Sequence, residues 1–253
     1  MIEYYDAICK RKSFHVFRGV GDEKLTHNEL DGIEKAFKSF VRLYPDIKTE
    51  IRIIPADKVN LKRDAEYCIL IYSEKKDNYL MNAGYIGEQL DLYLVTNDIG
   101  SLWYGLGKPD EQTYHGLDFV IMFAIHKISD RSKYRKDMFK ATRKDVDEIW
   151  KGDELGIANI VRFAPSAVNS QPWYVENTDN TLTVYRHKKS GMVGIVPAAA
   201  LLYFNRIDIG IFLCFLDICL EKNGYSFDRE LFTDNGGDDE FTKAAVYKIK
   251  DKK

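Results

Sequence analysis

The segment 164–173, Ala-Pro-Ser-Ala-Val-Asn-Ser-Gln-Pro-Trp, contains the residue types best suited to binding a ligand. Pro165 and Pro172 are two of only six prolines in the chain. Each fixes φ near about −65° and removes a backbone donor, so a preceding helix must stop and the chain must turn. The polar side chains between them suit a flat, polar, heteroaromatic ligand better than a metal or a nucleophile; they are Ser166, Asn169, Ser170 and Gln171. The alternative is a plain helix-to-strand connector in which Trp173 begins a buried strand.

A second candidate site lies at residues 11–17, Arg-Lys-Ser-Phe-His-Val-Phe. A phosphate group carries about two negative charges, so it needs cations with a hydroxyl or amide donor close by. Arg11 offers a planar, bidentate fork, and Ser13 projects to the same side if the segment is extended. The alternative is that Arg11 and Lys12 form a solvated charge pair after a short helix.

Together these segments resemble the FMN-dependent nitroreductase family. The loop at 164–173 is similar to the family's signature loop, and residues 11–17 are similar to its Arg-Arg-Ser-x-Arg-x-Phe phosphate motif. A third segment, running from Asn82 to Gly87 and on to residues 99–105, resembles the family's central helix and the turn beside the flavin. The resemblance covers roughly residues 5–225. It implies an α+β, nitroreductase-like fold that binds FMN and takes electrons from NADH or NADPH.

The resemblance assigns one group of residues to the FMN phosphate. In this group His15 replaces the basic residue that is usual in the family. A further cation would come from the pair Arg143-Lys144, or from the pair Arg135-Lys136, although either pair could instead be an exposed charge run. The residues assigned to the phosphate are Arg11, Lys12, Ser13, His15 and Arg143.

A second group is assigned to the flavin ring. Reduced flavin carries negative charge near N1 and the C2 carbonyl, which fixed donors stabilise without reorganising. A glycine beside N5 permits close approach of the backbone. No side chain is predicted to be catalytic, because the flavin carries the chemistry, and both Trp103 and Trp173 could serve packing alone. The residues assigned to the ring are Pro165, Ser166 and Asn169 near N1, and Trp103, Tyr104 and Gly105 near N5.

An internal repeat would explain the unusual order of these motifs, because in ordinary family members the 164–173 loop precedes the central helix. The pattern Asn82-x-x-x-Ile86-Gly87-x-x-Leu90 recurs about half a chain later as Asn205-x-x-x-Ile209-Gly210-x-x-Leu213. The chain is therefore similar to the nitroreductase subgroup in which two diverged half-repeats are fused and mimic the family's intertwined homodimer. We expect repeats at 1–126 and 144–253, joined by a connector at 127–143 into one compact unit. Such a chain would be a monomer with one flavin site across the internal interface and a second site lost.

The composition argues against several classes of function. The chain has 253 residues, of which 45% are apolar, so it can bury a substantial core. Its 37 basic and 39 acidic residues show no basic stripe, which argues against a nucleic-acid partner. The four cysteines form no C-x-x-C pair and the five histidines have no metal-binding spacing. The start lacks a signal-peptide pattern, and the longest apolar stretch, 209–216, is far shorter than the roughly 20 residues of a membrane helix. We therefore expect a cytoplasmic protein without membrane contact.

The periodicity predicts a mixture of helices and strands without regular βαβ alternation, which is typical of α+β proteins. A capping box at Thr26-x-x-Glu29 marks one helix start. Predicted helices lie at about 3–10, 27–41, 79–97, 145–163 and 202–223. Predicted strands lie at 51–54, 67–72 and 117–125, in a hairpin at 174–175 and 181–187, and at a final edge strand, 241–249.

The sequence thus predicts an oxidoreductase that passes electrons from NAD(P)H through FMN to a small acceptor such as a nitroaromatic or a quinone. One alternative is a flavin-binding protein without turnover, acting as a sensor, store or interaction partner. Another is a flavin-free structural relic. The acceptor is not readable from the sequence, because the residues that line an acceptor site lie on variable loops.

Overall fold

A computed structural model of the chain describes residues 1–60, 63–193 and 196–250, which form six α-helices and twelve β-strands. The helices are α1 (Tyr5–Lys10), α2 (His27–Ser39), α3 (Tyr79–Thr96), α4 (Val146–Ile149), α5 (Ala158–Val161) and α6 (Ala198–Lys222). The strands are β1 (Thr49–Pro55), β2 (Tyr67–Ser73), β3 (Ile99–Tyr104), β4 (Thr113–Tyr114), β5 (Leu117–Lys127), β6 (Trp150–Lys151), β7 (Trp173–Thr178), β8 (Thr181–His187), β9 (Met192–Val193), β10 (Val196–Pro197), β11 (Ser226–Leu231) and β12 (Phe241–Lys250).

The long helices α3 and α6 pack against each other at the centre of the fold. Both are apolar on nearly every face, as expected for helices surrounded by protein. Their backbones touch at two glycines: a Cβ on Gly84 would overlap the carbonyl of Ile207, and one on Gly210 would overlap the carbonyl of Met81. These glycines therefore permit the close approach of the two helices.

Two five-stranded sheets pack against this helix pair. The first has the order β1-β2-β5-β3, with β4 paired to β5, and contacts α3. The second has the order β11-β12-β8-β7-β6 and contacts α6. The strands pair antiparallel except that β6 lies parallel to β7. The main hydrophobic core contains buried residues of both sheets and both helices. The fold is thus α+β, as the sequence predicts.

Local signals in the sequence locate several elements closely. The Thr26 hydroxyl accepts a hydrogen bond from the Glu29 amide (3.3 Å), and the Thr26 amide donates to the Glu29 carboxylate (2.9 Å), which confirms the capping box. The predicted hairpin forms between β7 and β8, and its two turn residues, Asp179 and Asn180, both have positive φ. Predicted and observed bounds of α3 differ by one residue.

The single helix predicted at 145–163 is wrong. The segment instead contains α4, then β6, then α5. Gly152, Leu155 and Gly156 adopt φ values of 89°, 50° and 69°, which no right-handed helix accommodates. Between these breaks and α4, Trp150 pairs with Val175 of the second sheet.

The final strand is not an edge strand, because β12 lies between β11 and β8. Its partner β11, Ser-Phe-Asp-Arg-Glu-Leu, went unpredicted because its side chains are mostly polar and only half-buried.

The helix predicted at 202–223 is observed as α6, which begins at Ala198 and ends at Lys222. By length and composition it could cross a membrane, but 67% of its most apolar window is buried inside the fold.

Candidate functional site

The loop at 164–172 is held on the first half of α6 by two polar side chains of that helix. The Ala167 amide donates to Asp208 Oδ1 (3.0 Å), and Asn205 Nδ2 donates to Ser170 Oγ (2.9 Å) and to Asp208 Oδ2 (3.0 Å). Burial raises the pKa of Asp208 to about 7, although the donors Asn205, Ala167 and Ser170 oppose the shift. The loop is therefore anchored by a carboxyl group that titrates near neutral pH.

The backbone of this loop is unusually constrained. Val168, Asn169 and Gln171 have φ values of 45°, 56° and 46°, in a region that side chains with a Cβ rarely adopt. The Gln171 amide donates to Ser166 Oγ (3.0 Å), which closes the loop. Strained backbone of this kind persists where the surrounding contacts over-determine it, often at binding sites.

Two residues at the ends of the loop belong to the hydrophobic core. Pro165 is buried, and Trp173 is 1% exposed and stacks on Phe212 with a centroid distance of 4.9 Å. The packing role expected as an alternative for Trp173 is what the structure shows. Of the polar side chains between the two prolines, Ser166 and Asn169 remain accessible to a ligand, whereas Ser170 and Gln171 are buried.

Arg143 joins this loop to a group of arginines, Arg11, Arg135, Arg143 and Arg162, here called the arginine cluster. Its Nη1 donates to Asn169 Oδ1 (2.9 Å) and to the Thr142 carbonyl (2.8 Å). Its Nε is buried and has no partner among the described residues. Burial, together with the charges of Arg11, Arg135 and Arg162, lowers the pKa of Arg143 to about 10. Arg143 is half-buried, and a partly desolvated cation beside other cations is unfavourable without an anion near it.

Arg11 is buried, at 3% exposure, and is not the solvated charge considered as an alternative. Its Nε donates to Asp91 Oδ2 of α3 (2.5 Å) and lies 3.5 Å from Glu88 Oε1. Burial alone would lower the pKa of Arg11, but Asp91 and Glu88 raise it above its ordinary value. Much of the charge of Arg11 is therefore neutralised inside the protein.

Asp91 also holds the strand that follows α3. Its carboxylate accepts hydrogen bonds from the Ser101 hydroxyl and from Trp103 Nε1 (3.2 Å) of β3. The backbone of residue 13 is bridged to that of Ser101, so the segment after α1 is extended alongside β3. Arg11 Nη2 lies 3.5 Å from the Ser13 hydroxyl, which places these two side chains on the same side.

Glu88 is completely buried one helical turn from Asp91. Its two carboxylate oxygens have no hydrogen-bond partner in the part of the chain that the structure describes. Burial raises the pKa of Glu88 well above its usual range, and the neighbouring Asp91 adds to the shift. Burial therefore favours the protonated form of the Glu88 carboxyl, whereas the charge of Arg11 opposes the shift.

Lys12 and His15 lie at the margin of this region. Lys12 Nζ is 4.7 Å from the centre of the Phe14 ring, and burial, with Lys133 and Arg135 nearby, lowers its pKa. The His15 side chain is exposed, and the His15 carbonyl accepts a hydrogen bond from Arg63 (3.3 Å). No contact among the described residues joins the His15 ring to the arginine cluster.

Trp103 and Tyr104 are the last residues of β3 rather than part of a turn, and Gly105 follows them. Trp103 packs on Phe123, and the Tyr104 ring faces the guanidinium of Arg63 at 5.9 Å. A Cβ on Gly105 would lie 2.6 Å from Cε1 of Phe204 on α6. Since Asn205 holds the 164–172 loop, the end of β3 and this loop meet adjacent residues of α6.

The structure thus links residues of both halves of the chain into one region. Contacts run from Asn169 to Arg143, and from Arg11 through Asp91 to Trp103. Sequence reasoning missed Asp91, Glu88 and Asp208. The available signal was an acidic residue inside an otherwise apolar helix, since such residues are seldom buried without a partner or a function.

The chemistry of this region fits FMN. The arginine cluster provides cations without acidic partners at Arg143, where a phosphate would be received. The constrained 164–172 loop provides neutral polar groups of the kind that a flavin ring requires.

Residues 3–219 match the sequence profile of the family described as "Putative TM nitroreductase". The fold is similar to the crystal structure of a nitroreductase-like protein from Thermotoga maritima, with 17% identity, coverage of 97% of this chain and 93% of that chain, and a TM-score of 0.60. Nitroreductase family proteins from Clostridium difficile (15% identity) and Parabacteroides distasonis (12% identity) each cover 58% of this chain, and 95% and 96% of their own chains. Their TM-scores, 0.44 and 0.43, are too low to carry an argument.

No curated protein matches the chain significantly. At this level of identity the structural likeness shows the fold alone, whereas the profile match spans most of the sequence. The chain therefore belongs to the "Putative TM nitroreductase" family, a family of oxidoreductases.

Proposed function

We propose that this protein is an FMN-dependent oxidoreductase that passes electrons from NADH or NADPH to a small acceptor, such as a nitroaromatic or a quinone. Family membership supports the oxidoreductase class. The observation that carries the cofactor assignment is Arg143, which is half-buried beside like charges and has a buried Nε without a partner among the described residues. The FMN phosphate would supply the missing anion.

The residues of the site would divide the work of binding. Arg143, Arg135 and the Ser13 hydroxyl would hold the phosphate. Arg11 would act mainly as a positioning residue, because its ion pair with Asp91 fixes the extended segment beside β3.

The flavin ring would lie against the 164–172 loop, with Pro165, Ser166 and Asn169 facing N1 and Gly105 allowing the backbone to approach N5. FMN, when bound, would supply the redox chemistry that carries electrons from the nicotinamide donor to the acceptor. The loop would orient the ring, and its fixed hydrogen bonds would stabilise negative charge on the reduced form.

FMN titration of the purified apoprotein tests this proposal. Arg143→Gln should weaken FMN binding by about 1.5–3 kcal/mol, the scale of a charge-assisted hydrogen bond. Lys140→Gln is the matched control, since it removes an exposed charge from the same connector. Equal FMN affinity in the Arg143 variant and the wild type would refute the phosphate assignment, and a colourless protein that binds no FMN would refute the proposal itself.

One observation favours a second candidate, a flavin-binding protein without turnover. The Phe204 ring packs directly against Gly105, at the position where the family's flavin N5 would be approached. Steady-state oxidation of NADH and NADPH with a quinone acceptor separates the two functions. Bound flavin without turnover would favour the second.

A further inference from the structure

Asp208 on α6 is a buried carboxyl group, 3% exposed, that bonds directly to the backbone of the 164–172 loop. Its Oδ1 accepts a hydrogen bond from the Ala167 amide (3.0 Å), and its Oδ2 accepts one from Asn205 Nδ2 (3.0 Å). The same Asn205 amide group donates to Ser170 Oγ (2.9 Å). These four residues, here called the Asp208 cluster, therefore join the loop to the helix through one ionisable group.

The Asp208 cluster contacts the loop in the middle of the part that is proposed to face the flavin ring. Ala167 follows Ser166 and begins the turn that ends at Asn169. The Asn169 amide donates to the Ser166 carbonyl (3.0 Å), which closes this turn around Ala167. Ser166 and Asn169 thus lie within one turn of the amide that Asp208 binds, and a charge held by a ligand at these two residues would act on the Asp208 carboxyl.

The charge of Asp208 is not offset by a cation in the described part of the chain. The groups that favour its ionised form are the neutral donors of the cluster, and no charged side chain of the described residues acts on it. The turn at 167–169 and α5, which pack against α6, contain no titratable side chain. Charged residues of the other surrounding elements act on different groups: Arg206 of α6 on Tyr203, Arg143 on Asn169, and Glu88 of α3 on Arg11. A new negative charge beside the loop would therefore act on Asp208 without a counter-ion to offset it.

The loop would meet such a charge when FMN is reduced, because the reduced ring is negative near N1. A like charge disfavours the ionised form of a carboxyl group. Burial already raises the pKa of Asp208 to about 7, so a small further rise is enough for the carboxylate to take up a proton near neutral pH. A carboxyl group protonated at Oδ2 still accepts a hydrogen bond at Oδ1, so the Ala167 amide keeps its partner and the loop stays anchored.

We propose that Asp208 is a positioning residue that takes up a proton when FMN bound at the 164–172 loop is reduced, so that the negative charge of the reduced ring is not added to that of the carboxylate. The proposal rests on the proposed function, in which FMN lies against this loop. In balanced form, a hydride from NADH or NADPH converts FMN to its reduced anion, and one proton from solvent converts the Asp208 carboxylate to the carboxylic acid. Asp208 acts through the Ala167 amide and the loop rather than by touching the ring.

Potentiometric titration of the FMN-loaded protein at a series of pH values tests the proposal. For a two-electron couple, each proton taken up adds about 30 mV per pH unit to the slope of the midpoint potential. Above about pH 7, where Asp208 is ionised before reduction, the wild type should take up two protons per two electrons, one on the flavin and one on Asp208. The absorption spectrum should be that of the reduced flavin anion throughout. Reduction is chemical, so the measurement does not depend on turnover with a nicotinamide donor.

The decisive comparison is Asp208→Asn against Ser170→Ala. Both variants change the hydrogen bonds around Asn205, but only the first removes the titratable carboxyl. The Asp208 variant should take up one proton per two electrons, which halves the slope, whereas the Ser170 variant should keep two. Because the Ser170 hydroxyl favours the ionised carboxyl, its loss should also move the two-proton range to higher pH. Equal slopes in Asp208→Asn and the wild type would overturn the proposal.

Infrared difference spectroscopy of the wild type provides a measurement that does not depend on the folding of a variant. Reduction of the bound FMN should produce the C=O stretch of a protonated carboxyl group, and the band should shift in deuterium oxide. FMN binding without this band would overturn the inference and leave the proposed function standing, as would a band that persists in Asp208→Asn. A protein that binds no FMN would refute the proposed function and, with it, this inference.

Discussion

Besides Asp208, each central helix carries a buried aspartate within a cluster of polar groups, Asp91 on α3 and Asp217 on α6, and these two clusters differ. Asp217 on α6 accepts hydrogen bonds from Tyr85 (2.6 Å), from Tyr247 (2.7 Å) and from Arg229. The Arg229 guanidinium lies between the rings of the same two tyrosines. Each of these polar groups has a partner, as in the fully satisfied hydrogen-bond networks that specify a unique fold. We call this cluster, Asp217 with Tyr85, Tyr247 and Arg229, the α6 centre.

The corresponding cluster around Asp91 on α3, here called the α3 centre, contains polar groups without hydrogen-bond partners within the described part of the chain. The neighbouring Glu88 carboxyl has no hydrogen bond among the described residues, and Arg143 nearby retains an unpartnered Nε. Buried polar groups without partners are rare in folded proteins and point to a role outside stability. This difference supports the proposal that the α3 centre binds a ligand, whereas the α6 centre has the satisfied hydrogen bonds of a structural network.

The loops held by the two helices also differ, because cations lie beside only one of them among the described residues. Asn82 on α3 accepts a hydrogen bond from the Tyr44 amide (3.1 Å), and Gln89 bonds both backbone groups of Val41. Asn205 on α6 holds the 164–172 loop in a similar way. No arginine cluster accompanies the loop around Val41 in the described part of the chain. The loss of a second flavin site stays a prediction, and this difference agrees with it.

The largest effect should come from breaking the α3 centre. Asp91→Asn leaves Arg11 buried without its carboxylate and should destabilise the protein by about 3–5 kcal/mol, with loss of FMN binding. Asp217→Asn should cost a comparable amount but leave FMN affinity intact in the folded fraction. Urea unfolding with and without FMN measures both. Equal FMN loss in the two variants would remove the distinction between the centres.

The next largest effect should be the pH dependence of stability that Asp208 causes. Because its folded-state pKa of about 7 lies above the unfolded value of about 3.9, the folded protein holds a proton that the unfolded chain has released between these pH values. Its contribution to stability is therefore full below about pH 4 and is lost as the pH rises to about 7, by about 2–4 kcal/mol. Thermal melts from pH 4 to 8 should show this fall in the wild type and a flatter profile in Asp208→Asn. Parallel profiles for the two proteins would contradict the assignment.

Flavin stoichiometry tests the difference between the two loops. We expect a monomer that binds about one FMN per chain, because α3 and α6 already lie in one chain and no second copy is needed to complete the site. Light scattering and flavin absorbance across a dilution series measure both quantities. A ratio near two, or flavin lost in step with dissociation of a dimer, would contradict this expectation.

The smallest effect should come from Glu88→Gln. Since the Glu88 carboxyl has no hydrogen bond among the described residues and its burial favours the protonated form, its replacement by an isosteric amide should change stability by less than about 1 kcal/mol between pH 5 and 8. Urea unfolding at both pH values provides the check. A large destabilisation would show that Glu88 is ionised and paired with Arg11. The carboxylates of the α3 centre would then be as fully paired as that of the α6 centre.

Sequence signals that act over a few residues predicted their elements correctly. The Thr26 capping box, the β7–β8 hairpin, the bounds of α3 and the turn forced by Pro165 and Pro172 all depend on neighbours in the chain. The motifs at residues 11–17 and 164–173 were likewise sufficient to indicate the family. The prolines, the polar spacing and the helix cap needed no tertiary information.

Only the tertiary structure determined which charged side chains are buried and which of them have a partner of opposite charge. Arg11 could be read as a phosphate ligand or a solvated cation, and its pairing with Asp91 depends on a helix that lies far away in sequence. The same holds for Arg143, a half-buried cation that lies beside Arg11, Arg135 and Arg162 only in the folded chain. The breaks at 152–156 and the central position of β12 follow from pairing within the second sheet. Periodicity reports which face of an element is apolar, whereas the electrostatic state of a charged side chain is set by burial and by groups that only the fold brings together.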